Sequence, residues 1–223
     1  MPGRLTSIEM LKRSISTVGL AAVGAGAIWV VGCERRGGLS LTLESPRKTY
    51  VVNLSGRLSA PTVPLIEHYV RVSAHRGLVQ VVEEHEVDFA DWFDDGFRGK
   101  YGPVEWPKEN VLRFVSTWPS KGQLDAVRVE NQSGRTISFL KVICLDVFLL
   151  FEIPAGSVSS FETTAQRAER SDLSWVGVDG EWSSGVRIRG EGRNFDVARG
   201  GPAYQYVVSI SEKGVTLGQT PLP

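Results

Sequence analysis

The chain is expected to fold as an all-β protein, an antiparallel β-sandwich preceded by one N-terminal apolar membrane-targeting helix. Three observations predict this. After Cys33, apolar and polar residues alternate with a period of two rather than 3.6, the pattern of strands that bury one face. Turn signals built on Gly and Pro recur at roughly 8–12-residue intervals, the spacing of short antiparallel strands. Residues 14–33 form a run of 20 residues without a charge, which as a helix spans about 30 Å of hydrocarbon. No stretch alternates a strand with an amphipathic helix, which argues against a parallel α/β sheet.

The composition narrows the function classes. With 223 residues, 42% hydrophobic and 22% charged, the chain can bury a core and is neither disordered nor collagen-like. Lys plus Arg equals Asp plus Glu at 25 each, so no overall basic field recruits nucleic acid. Two cysteines exclude a disulfide-dense scaffold.

Residues 1–13 are a short basic tail carrying Arg4, Lys12 and Arg13. Residues 14–33 then read as a signal-anchor helix or a lipoprotein signal peptide, bracketed by Lys12-Arg13 and Glu34-Arg35-Arg36. In the anchor reading Trp29 sits near one membrane interface. Val30-Val31-Gly32-Cys33 resembles the lipobox of bacterial lipoproteins, with Val30 where Leu is commonest. That resemblance implies cleavage before Cys33 and lipid attachment to its sulfur. A buried helix of a soluble protein is the third reading. A short tail before a large domain is the ordinary export arrangement, which places the domain outside the cytoplasm, in the periplasm or at the cell surface. Without residues 1–33 the chain keeps 22 basic and 24 acidic side chains, a net charge of −2. Cys144, between Ile143 and Leu145, is then the thiol far from the membrane and is expected to be buried.

Residues 34–123 are expected to form a membrane-proximal β-rich region. Leu39–Leu43 and Thr49–Leu54 are strands split by Ser45-Pro46. His68–Ala74 and Leu78–Glu86 flank His75-Arg76-Gly77, a hairpin turn in which Gly can take positive φ. The many valines and the internal Gly77 oppose a helix over 64–87. Residues 89–110 carry Gly and Pro punctuation and read as a long loop; Val111–Thr117 resumes as a strand.

Residues 124–223 are expected to form the sandwich region proper. Leu124–Glu130 and Thr136–Cys144, joined by Asn131-Gln132-Ser133-Gly134, read as a hairpin. Val142–Phe151 has nine apolar residues in ten, too short for a bilayer and read as a strand or strand pair buried on both faces. Leu149 and Phe151 are expected in the core. Val158–Thr163, Leu173–Val178, Val186–Arg189, Tyr204–Ser211 and Val215–Leu217 follow as short strands, with a helical turn over Ala165–Arg170 and with Gly180, Gly185, Gly190, Gly192, Gly200, Gly201 and Pro202 as separators. About seven strands in a hundred residues is the size of an immunoglobulin-like sandwich. The similarity is one of architecture alone, because no Cys…Trp…Cys spacing is present.

Catalytic motifs are absent. His68, His75 and His85 do not stand in HExxH spacing, no Gly-x-Ser-x-Gly elbow occurs, and there is no GxxxxGK[ST] phosphate loop. No cofactor is implied. From Glu83 to Asp95, seven of thirteen residues are acidic and none is Lys or Arg. On a strand, Glu84, Glu86 and Asp88 share one face, where three carboxylates can hold a hard cation; the alternative is a charged edge that resists pairing with other chains. Six of the eighteen residues from 89 to 106 are aromatic. Trp92, Phe93, Tyr101 and Trp106 are the candidates for a platform stacking on sugar rings, or else for a lid that closes one end of the fold. The expected function is therefore non-enzymatic: a membrane-anchored extracytoplasmic binding or structural protein of a bacterial envelope. Its partner is an envelope protein or a glycan, and the alternative is a carbohydrate-binding module using the aromatics of 89–106.

Overall fold

The computed structural model describes residues 20–23, 27–31, 38–57, 69–88, 100–116, 124–144, 146–163, 173–197 and 201–222. They form β1 (Leu20–Val23), β2 (Ala27–Val31), β3 (Gly38–Glu44), β4 (Tyr50–Arg57), β5 (Tyr69–Arg76), β6 (Val79–Asp88), β7 (Lys100–Lys108) and β8 (Val111–Phe114). Then come β9 (Asp125–Asn131), β10 (Ile137–Cys144), β11 (Asp146–Ile153), β12 (Val158–Thr163), β13 (Leu173–Trp182), β14 (Arg187–Asp196), β15 (Tyr204–Ser211) and β16 (Gly214–Pro221). No helix occurs among the described residues. The expected helical turn over Ala165–Arg170 lies outside them.

The strands make three sheets: an eight-stranded one in the order β1-β2-β7-β8-β11-β10-β13-β14, and four-stranded ones in the orders β3-β4-β5-β6 and β12-β9-β15-β16. Pairing is antiparallel except between β9 and β15, which run parallel from Gln205↔Ala126 to Ile210↔Asn131. The fold is thus all-β, with sheets that are antiparallel apart from that one pair.

Two hydrophobic clusters lie on opposite faces of the eight-stranded sheet. On one face Leu112, Phe114, Phe139, Val147, Leu149 and Phe151 meet Leu43, Tyr50, Val52, Leu54 and Val72 of the β3–β6 sheet. On the other Leu140, Val142, Phe148 and Leu150 meet Val127, Val129, Phe161, Tyr206, Val208 and Ile210 of the second four-stranded sheet. This explains why β11 reads as a continuous apolar run: successive residues enter different cores, and Leu149 and Phe151 are both fully buried. The run Val142–Phe151 is a strand pair, with β10 and β11 in register from Ile137↔Ile153 to Cys144↔Asp146. β8, from the first stretch of the chain, pairs with β11 of the second through Val147↔Phe114 and Leu150↔Val111, so one sheet runs through both.

The β5–β6 hairpin forms as expected, with Gly77 at φ 58° in its turn. Other expectations are corrected. β9 and β10 do not form a hairpin, because they belong to different sheets. The 131–136 segment is an arch between layers, organised by the buried Asn131, whose Nδ2 donates to the carbonyls of Arg135 (2.8 Å), Ile153 (3.2 Å) and Pro154 (2.9 Å). Gly134 is not among the positive-φ residues, so it does not supply the left-handed geometry that a tight hairpin turn needs.

Residues 100–108, expected within a long loop, form β7. Pro103 and Pro107 disguise the strand; it tolerates Pro107 within the register shift between Glu105 and Lys108 in its pairing with β8, and Pro103 beside the shift between Trp29 and Val31 in its pairing with β2. The Pro103 carbonyl still accepts from the Val115 N–H at 2.9 Å. β13 and β14 likewise run longer than expected, through Gly180, Gly190 and Gly192, which read as separators. At Gly180 a Cβ would lie 2.5 Å from the Phe139 carbonyl oxygen, so this strand glycine answers a close backbone approach.

The helix expected over 14–33 falls largely outside the described residues. Where described, the segment is extended: β1 and β2 pair from Leu20↔Val30 to Val23↔Ala27, and β2 pairs with β7 through Ile28↔Val104. The β-branched Ile28, Val30 and Val31 suit a strand. No helix of the described residues is long and apolar enough to cross a membrane.

Registers give the molecule two unlike ends. At one, the turn end, lie the short connections at residues 45–49, 77–78, 109–110, 132–136, 154–157, 183–186 and 212–213. At the other, the entry end, Gly38 begins β3 opposite Arg57, and Tyr69, Lys100, Asp125, Leu173 and Tyr204 begin their strands.

Candidate functional site

Cys33, Trp92 and Phe93 lie outside the described residues. Tyr101 is placed on β7 by its backbone. Trp106, on the same strand, is half-buried against the core of the β3–β6 face, with its ring centroid 6.5 Å from that of Phe151. Its Nε1 is buried without a hydrogen-bond partner. Glu84, Glu86 and Asp88 are on β6, where register sets Glu86 opposite Arg71 and Asp88 opposite Tyr69. No group of metal-ligating side chains assembles among the described side chains, which do not include those of Glu84, Glu86 and Asp88.

Sequence reasoning missed two features. The first is a buried polar node at the entry end. Asp146 is fully buried and accepts from Arg113 Nε (2.9 Å) and Nη2 (2.7 Å), the Ser116 N–H (2.7 Å) and Thr163 Oγ1 (3.1 Å). Asp125, also buried, accepts from the Tyr204 N–H at 2.8 Å and the Tyr206 hydroxyl at 3.5 Å. Cys144 lies beside them, buried as expected. Burial first, then the carboxylates of Asp125 and Asp146, push its thiol well above the ordinary range, so it is a protonated core thiol and not a nucleophile. Burial likewise raises the Tyr206 phenol. These groups are directed at one another and tie the starts of β9, β11 and β15 to the ends of β8 and β12.

The second feature faces solvent. On the side of β10, β13 and β14 that carries Ile143, a groove of about 560 Å³ is lined by Lys141, Trp175, Gly177, Asp179, Arg189 and Gly192, among others. Trp175 is 45% exposed, a large aromatic side chain left open to solvent. Register makes Gly177 and Gly192 direct partners. A Cβ on Gly177 would lie 2.0 Å from Trp175 Cη2, and one on Gly192 would lie 3.0 Å from Cζ2. The indole thus rests on a floor that only glycine allows. Beyond it the Asp179 carboxylate stands between Lys141 Nζ at 3.8 Å and Arg187 Nη2 at 3.7 Å. The signal in the sequence was the Trp-x-Gly of residues 175–177, inside the expected strand Leu173–Val178, and the Gly-x-Gly of residues 190–192; reading Gly190 and Gly192 as separators hid the strand pairing that brings Gly192 to Gly177.

The chain matches no protein-family model, no curated protein and no solved structure.

Proposed function

We propose that this protein is a non-enzymatic binding module of a bacterial envelope. It is built as a layered β-sandwich, works on the extracytoplasmic side and is attached to the membrane by its N-terminal apolar segment, which in that setting gives up its place as β1 and β2 at the edge of the eight-stranded sheet. The observation that carries the reading is the contrast between buried and exposed chemistry. The carboxylates of the node are hydrogen-bonded into the fold and the thiol is held protonated, whereas the Trp175 groove holds an aromatic face and charged groups open to solvent. A catalytic site needs titratable groups that can reach a substrate; a binding site needs a shaped surface with a few polar groups. The lipobox-like Val30-Val31-Gly32-Cys33 supports the envelope setting.

The attachment is tested by the intact mass of the membrane-extracted protein, which separates a lipid-modified Cys33 product from a full-length anchor. Cys33→Ser abolishes processing in the first case and changes nothing in the second. Deletion of residues 1–33 is expected to release the protein from the membrane fraction; a truncated chain that stays membrane-bound overturns the reading.

A further inference from the structure

We infer that the groove over β10, β13 and β14 binds carboxylate-bearing pyranose chains, with the Trp175 indole as the stacking platform. This assignment rests on the binding-module reading but not on membrane attachment.

Three observations converge. First, an indole face exposed to water is unfavourable unless something covers it. Here the exposure is held in place, because Gly177 and Gly192 leave no side chain on which the ring could ride up. The electron-rich face attracts the weakly positive C–H groups of a sugar ring. Second, the volume of about 560 Å³ lies in the range of small-ligand sites, roughly 300–1,000 Å³. Third, the charges of the groove, Lys141, Arg187 and Arg189 against Asp179 and Glu191, leave one net positive, on a chain whose formal charge is zero. Asp179 already stands between Lys141 and Arg187. Arg189 is exposed on β14, and its planar guanidinium suits a carboxylate.

The alternatives fit less well. A peptide adding to the edge of β14 competes with β16, because Arg193 Nη1 donates to the Leu217 carbonyl and Gln219 Nε2 to that of Asp196. A nucleic acid needs more than one net positive charge.

The experiment is isothermal titration of the full-length, detergent-extracted protein with trigalacturonate and, in parallel, with neutral maltotriose. Saturable binding of trigalacturonate is expected. Trp175→Ala is expected to weaken it about tenfold, the worth of one aromatic contact. Gly177→Ala keeps the indole but displaces it, and is expected to weaken binding in the same direction. Arg189→Gln, an exposed change that leaves the fold intact, is expected to lower trigalacturonate affinity about two- to fivefold and leave maltotriose unaffected. Equal affinity for the two sugars overturns the acidic assignment. Absence of binding by a folded chain, or binding that survives both Trp175→Ala and Gly177→Ala, overturns the groove as a glycan site. If the same preparation captures a protein partner while binding neither sugar, the glycan assignment fails and the binding-module reading stands.

Discussion

At the turn end of the molecule, side chains close short connections by bonding to backbone, whereas at the entry end the fasteners are ions held out of water. Glu109, between β7 and β8, reaches the β3–β4 turn, where its carboxylate accepts from Ser45 Oγ, the Arg47 N–H at 3.0 Å and the Thr49 N–H at 3.2 Å. Asn110 Nδ2 donates to the Phe151 carbonyl at 2.8 Å, and the Tyr50 hydroxyl donates to Glu152 at 2.8 Å while its ring stacks on Phe151. At the entry end Asp146 is 0% exposed and Arg113 is 9% exposed. A surface contact can be removed cheaply, since water replaces it. A buried ion stripped of its partner cannot be rehydrated, so the entry end is the more brittle.

Four measurements sharpen or break this contrast. The largest effect is expected from Asp146→Ala, which leaves the Arg113 guanidinium buried beside Phe148 without its main acceptor. It should cost about 3–5 kcal/mol in urea unfolding; a loss under about 1 kcal/mol would mean that water reaches the node. Next comes Asn131→Ala at the arch, which removes the amide shared by the carbonyls of Arg135, Ile153 and Pro154, although Ser133 still serves the first and Ser157 the last; it should cost about 1–3 kcal/mol by the same measurement. Tyr50→Phe removes one hydrogen bond to Glu152 but keeps the ring against Phe151, so about 0.5–1.5 kcal/mol is expected.

The smallest effect concerns pH. Partial desolvation opposes ionisation of Glu109, but the bonds from Ser45, Arg47 and Thr49 outweigh it and hold its carboxyl below the ordinary glutamate range. A depressed carboxylate contributes stability that is complete above its unfolded pKa and is lost as pH falls through the folded one. The parent should therefore lose slightly more stability than Glu109→Gln as pH falls from about 5 toward the acid limit of folding, measured as the shift in urea midpoint. Equal slopes would remove Glu109 from the clamp.

How much of this was legible in the sequence depends on whether the deciding interaction was local. Alternation at Val127 and Val129 located β9, and the β5–β6 hairpin followed from Gly77 and the valines around it. The partner of β9 was not legible: Asn131-Gln132-Ser133-Gly134 looks like a hairpin turn, and only the carbonyls of Ile153 and Pro154, 22 and 23 residues away, reveal an arch. β7 was hidden by two prolines that its irregular ladders accept. The apolar run Val142–Phe151 was read as buried on both faces, yet which layers cover it depends on residues from Leu43 to Ile210. The groove was missed for the same reason, because Gly177 and Gly192 meet only across a strand pair.

The parallel pairing of β9 with β15 has a consequence for biosynthesis. Asp125 and Tyr204, bonded at the entry end, are 79 residues apart. At roughly 5–20 residues per second, β9 waits about 4–16 s for the strand that completes its second edge. Hairpins such as β10–β11 close in roughly 1–10 μs, and β12 covers only one side of β9 in the meantime. During that interval the nascent chain presents an open strand edge beside Val127 and Val129, the combination that draws in holding chaperones or other unfinished chains. The β15–β16 hairpin therefore supplies both the strand that pairs with β9 and the edge strand beyond it, and the open side of β9 is covered only once that hairpin has been made.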